Sequence, residues 1–105
     1  MSRLAQLQQM LVDEPFDPFL HYALGMEYVK LGESDQALAQ FATMNKQFPD
    51  HVPAWHQRGR ILADRNESEA AREVLQQGMA AAQRTGESHA ASEMQALLDL
   101  LQAQW

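Results

Sequence analysis

Cysteine is absent from the 105-residue chain. That removes disulfides, thiolate metal sites and cysteine nucleophiles together, and it fits a reducing compartment. Basic residues are scarce: eight Lys and Arg stand against fourteen Asp and Glu, for a net charge of −6. They are also scattered, which argues against nucleic acid as a partner, because phosphate-backbone affinity rests on clustered cations. No apolar run approaches the length of a membrane span. The opening MSRLAQLQQMLVDEP is broken by Gln and acids where a signal peptide would be continuous. We therefore expect a cytoplasmic protein with no membrane partner. The Asn66-Glu67-Ser68 sequon then carries no weight. Valine and isoleucine occur singly and never in alternating runs, so no strand is predicted.

What is present is apolar and periodic. With 46% hydrophobic and 21% charged residues the chain can build one small core. Leu4, Leu7 and Leu11 recur at three- and four-residue steps, with Met10 and Val12 beside them, and predict a helix over about 2–12. Asp13-Glu14-Pro15 ends it. Asp17-Pro18 restarts the chain as an N-cap followed by a first-turn proline, for a helix to Lys30 stopped at Gly32. Further helices are expected over 34–48, 53–65, 68–84 and 88–102, with Asn66 or Ser68 capping the fifth.

The spacing of these helices is regular. Leu24-Gly25 and Arg58-Gly59 lie 34 residues apart (59 − 25 = 34). A period of this length marks helix-turn-helix solenoids, whose units bury their apolar faces only by stacking. Counted from Pro18, Leu24-Gly25, Tyr28, Gly32, Ala37, Phe41 and Pro49 fall where the tetratricopeptide repeat has its signature residues. Counted from Val52, Trp55, Gly59, Leu62, Ala71 and Leu75 do the same. The two units resemble that family. His21 stands in place of the first tryptophan, Arg58 of a leucine, and Met44 and Gly78 of a small residue. Gln83 stands in place of the closing proline, which predicts a shifted entry for the third unit.

The resemblance implies an all-α, antiparallel helix-turn-helix solenoid, a right-handed superhelix of about six helices in one domain over 1–105. Residues 1–15 form an N-terminal packing helix, 18–51 and 52–85 the two repeats, and 86–105 a C-terminal cap. Met1 and the polar end lead us to expect a stand-alone chain. The resemblance also implies a concave groove for a peptide or helix. Its positions are Phe19, Tyr22, Met26, Val29 and Lys30 on one wall and Pro53, His56, Arg60, Ala63 and Asp64 on the other. Steps of four put Tyr22, Met26 and Lys30 on one helical face, and His56, Arg60 and Asp64 on another. Arg60 is placed to hold a carboxylate by its two-pronged guanidinium. Lysine-and-asparagine clamps for a peptide C-terminus occur in part of the family, and this chain lacks the asparagines.

Competing readings stay open. The terminal helix could fill the groove, making Phe19 and Met26 plain core. The function expected is a non-catalytic adaptor or scaffold. The alternative is a homodimer built through the terminal helix by Met94, Leu97, Leu98, Leu101 and Trp105. His21, His51, His56 and His89 lack the spacing of metal ligands, and no cofactor is expected. There is no glycine-rich phosphate loop, nucleophile elbow or H-E-x-x-H motif, and the pairs Asp13-Glu14 and Glu67/Glu69 sit at helix ends. We expect no enzyme. Arg58 is expected to run its stem along the core edge, with Glu73 or Asp64 as the alternative partner.

Overall fold

In the computed structural model, residues 1–103 are described and form six helices: α1 (Arg3–Asp13), α2 (Pro18–Lys30), α3 (Ser34–Gln47), α4 (Val52–Asp64), α5 (Ser68–Thr85) and α6 (Ser88–Ala103). No strand occurs among the described residues. Each boundary follows from local chemistry. Ser2 caps α1 by accepting from the Ala5 amide at 3.0 Å, and Asp17 caps α2 by accepting from the Phe19 amide at 2.9 Å, with Pro18 in the first turn.

The turns repeat with the period. Gly32 closes the α2–α3 turn at φ 76°, and Asn66, 34 residues on (66 − 32 = 34), closes the α4–α5 turn at φ 62°. Asparagine is among the few residues that tolerate this left-handed conformation. The expected cap at Asn66 or Ser68 is therefore corrected. Asn66 serves the turn, and Glu67 occupies the cap position of α5 without a side-chain hydrogen bond.

Consecutive helices pack as antiparallel neighbours, and α4 also meets α6 directly. Two buried clusters result. The first joins Ala37, Phe41 and Met44 of α3 to Ala54 of α4, with Tyr22, Met26 and Tyr28 of α2 against them. The second gathers Trp55 and Leu62 of α4, Val74 and Leu75 of α5, and Met94, Leu98 and Leu101 of α6. Trp55 also ties down its own entry turn, its indole N–H donating to the Pro49 carbonyl at 2.8 Å. The molecule measures 44 × 29 × 19 Å, elongated as a stack of units should be.

The third unit enters late. α5 begins one period after α3 (68 − 34 = 34) but runs to Thr85, four residues beyond the counterpart of Gln47 (47 + 34 = 81). Gln83 lets the helix continue where α3 is followed by Pro49, and Gly86 at φ 76° then stops it. This extra turn resets which residues of α6 face each way.

Candidate functional site

The second wall of the expected groove is assembled with α6. His56 and Arg60 of α4 line an open cleft of about 370 Å³ together with Glu93, Ala96, Leu97 and Leu100 of α6. Arg60 is exposed and makes no ion pair among the described residues. His56 is half-buried. Burial pushes its imidazole below the ordinary value, the nearby Glu93 carboxylate pulls it up, and the Arg60 charge pushes it down again. The cleft thus presents one unpaired guanidinium, one imidazole and one carboxylate beside a leucine pair.

The first wall is split between surface and core. Phe19 is 80% exposed. The reading in which it is core is therefore corrected: it sits in the first turn of α2 with its ring largely in solvent. Tyr22 and Met26 are partly buried and pack on the Phe41 cluster. The Tyr22 ring meets Phe41 at 5.8 Å and His51 at 5.2 Å between centroids. Burial raises the Tyr22 phenol above its ordinary value, and a hydrogen bond with Gln57 of α4 partly offsets this. Val29, Lys30 and Asp64 are exposed at the far ends of α2 and α4, while Pro53 and Ala63 are partly buried. The α2 residues and the α4–α6 cleft do not share a single cavity.

The alternative self-association surface does not stand as expected. Met94, Leu98 and Leu101 are buried against α4 and α5, and Met94 is 0% exposed. Leu97 is partly buried beside them, whereas Leu100 is 61% exposed. The steps of three and four among the leucines fit two faces equally, and packing on Gly78 decides between them. A Cβ at Gly78 would stand 2.7 Å from both the Met94 Sδ and the Trp55 Cβ. Trp105 lies outside the described residues.

Sequence reasoning missed Glu93, Ala96 and Leu100, although residues 93, 96, 97 and 100 carry a helical face spacing. It also missed Asn45. That residue continues the inward row of Ala37 and Phe41 by a step of four and is 6% exposed. Its Oδ1 accepts from Arg58 Nη1 at 3.0 Å. The polar partner of Arg58 is thus an amide, and Glu73 contributes only at longer range. His21 is held too: its Nε2 donates to the Pro15 carbonyl at 2.7 Å and its Nδ1 accepts from Gln40 at 3.1 Å. No group of three or more His, Asp or Glu able to hold a metal occurs among the described residues, and no described helix is long and apolar enough to cross a membrane.

A helix-pair stack with glycines at the crossings, one period apart, defines the class: a helical repeat solenoid. The tetratricopeptide repeat model matches residues 28–101, so the chain belongs to the tetratricopeptide repeat family. Such a fold is a protein-interaction module. No curated protein matches the chain. Among solved structures it is similar to a tetratricopeptide repeat domain protein of Salinibacter ruber, at 27% identity, TM-score 0.79, over 85% of this chain and 100% of that one. It is also similar to a protein of Bordetella parapertussis solved in solution, at 26% identity and TM-score 0.84, over 99% and 90%. The TPR2B domain of yeast Sti1, solved in complex with pHsp70, shares the fold at 18% identity and TM-score 0.86, over 97% and 82%.

Proposed function

We propose that the chain is a non-catalytic adaptor that binds a peptide or helix of another protein along the side formed by α2, α4 and α6. The observation that carries this reading is Arg60, an exposed guanidinium without an ion-pair partner among the described residues, at the mouth of a cleft with Leu97 and Leu100. A free fork beside apolar surface suits a ligand that offers a carboxylate next to an apolar side chain. Phe19 adds a large exposed ring on the other wall. An exposed aromatic of this kind is the residue type that anchors interfaces.

The groove residues sit on helices held by buried cores, so little ordering is needed on binding, and that favours affinity. The solved complex of the Sti1 domain supports the reading as an analogy of fold.

The test is capture from a lysate of the source organism with wild type and with a Phe19→Ser/Arg60→Glu double variant. Both positions are exposed, so the variant should keep its circular dichroism. Proteins held by wild type and lost by the variant support the groove. Equal recovery by both removes it.

A further inference from the structure

A second cleft, larger than the one beside Arg60, lies elsewhere, among α3, α4 and α5. It encloses about 570 Å³ and is lined by Lys46, Arg58 and Arg84, with Trp55, Pro49 and Ala80 forming apolar wall between the cations. Three of the chain's eight Lys and Arg residues thus meet in one cleft, on a protein of net charge −6. Among the described residues no Asp or Glu lines it. Arg84 is the one cation of the three that is answered, by Asp50 at 3.0 Å. Lys46 and Arg58 make no ion pair among the described residues.

Arg58 is built in rather than left over. Asn45, one of the lining residues, is buried and turns its Oδ1 to the guanidinium. That contact fixes the amide the other way round, and Asn45 Nδ2 is left buried with no hydrogen-bond partner among the described residues. A buried donor left without a partner destabilises the folded chain. Burial also pushes the guanidinium below its ordinary value, with the Glu73 charge partly opposing this. The protein thus places a partly desolvated guanidinium and an unpartnered buried amide donor side by side. That pattern is typical of sites shaped by a ligand.

We infer that this cleft is a second recognition site, distinct from the α2–α4–α6 side, and that it binds an acidic peptide segment through a carboxylate held by Arg58. The planar fork of Arg58 matches a planar carboxylate. Lys46 supplies a second, more mobile charge. The walls of Trp55, Pro49 and Ala80 suit the apolar side chains that flank an acid in a peptide. Nucleic acid fits poorly, because three cations on an acidic protein give little counterion release against strong long-range repulsion.

The experiment uses pools of fluorescent decapeptides, degenerate except for one central residue fixed as Glu, Gln or phosphoserine, with single-stranded DNA as a fourth probe. Binding is read by polarisation and located by the Trp55 indole and Arg58 Nε–H signals in NMR. The Glu pool should bind about tenfold tighter than the Gln pool and shift those two signals, and Arg58→Leu should lose that preference. Phe19→Ser should leave it intact, which separates this site from the groove. If Arg58→Leu fails to fold, the exposed Lys46→Glu carries the comparison and should weaken the Glu pool in the same sense. Equal binding of Glu and Gln pools, shifts confined to His56 and Arg60, stronger binding of phosphoserine or DNA, or no binding of the Glu pool each overturns the inference.

Discussion

The ring of Phe41 lies so close over Gly25 that a Cβ there would stand 2.7 Å from Cζ. One period later Leu75 lies over Gly59 (59 − 25 = 34; 75 − 41 = 34), and a Cβ there would stand 2.5 Å from Cδ2. The glycines set how near the two helices of each pair can come, and the side chains opposite fill the gap they leave.

Alanine at these crossings should therefore destabilise, although in an open helix it would gain about 1 kcal/mol over glycine. Gly25→Ala and Gly78→Ala are each expected to lower unfolding free energy by about 1–3 kcal/mol, the cost of overpacking a filled core. Gly78→Ala should be the more damaging of the two, because a Cβ there meets the Trp55 Cβ, an atom that cannot move without its backbone. Urea denaturation measures both.

The two faces of α6 give a sharper contrast. Leu98→Glu puts a charge into the second core and should cost several kcal/mol, on the scale of about 3–5. Leu100→Glu, on the exposed face, should stay within about 0.5 kcal/mol of wild type. Thermal melts of both variants settle the register. Equal damage at both would mean that α6 is rotated.

Arg58 and Asn45 should behave as a coupled pair. Asn45→Ala strands a half-buried guanidinium and is expected to cost about 1–3 kcal/mol. In Arg58→Leu/Asn45→Ala both polar groups are gone, and the loss should be smaller than the sum of the single losses by about 1 kcal/mol or more. A double-mutant cycle in urea reads the coupling.

The pattern of repeats was legible because it is written in small and aromatic residues at a fixed offset. Gly25, Gly59, Ala37 and Ala71 fell at the crossings the spacing predicts, and all six helices formed within a residue or two of their expected bounds. What escaped was set by a single substitution. Gln83 in place of proline lengthens α5 by a turn, so the period no longer predicts the face of α6. Glu93 and Leu100 line the cleft, while Met94 and Leu98 go inward. Asn45 escaped for another reason. A polar residue on an apolar row reads as an edge position until its partner, 13 residues away, is placed beside it.

Stability should fall on mild acidification. Burial lowers the imidazole values of both His51 and His56 below 6.5, the value each has in the unfolded chain, despite opposing pulls from Glu87 and Glu93. Below that pH the unfolded chain binds protons that the folded chain resists, so unfolding free energy drops as pH falls from 6.5 through the folded-state values. A His51→Gln/His56→Gln variant should have a flatter profile of melting temperature between about pH 7.5 and 5.

The central claim is that a partner lies along α2, α4 and α6. Photo-cross-linking tests it most directly, with a benzophenone side chain placed singly at Phe19, at Leu100 and at the exposed Gln36 of α3, outside the α2, α4 and α6 helices, all in the protein exposed to its source lysate. One common partner should cross-link from Phe19 and from Leu100, with no such band from Gln36. Cross-links from Gln36 alone, or different partners from Phe19 and Leu100, would contradict it.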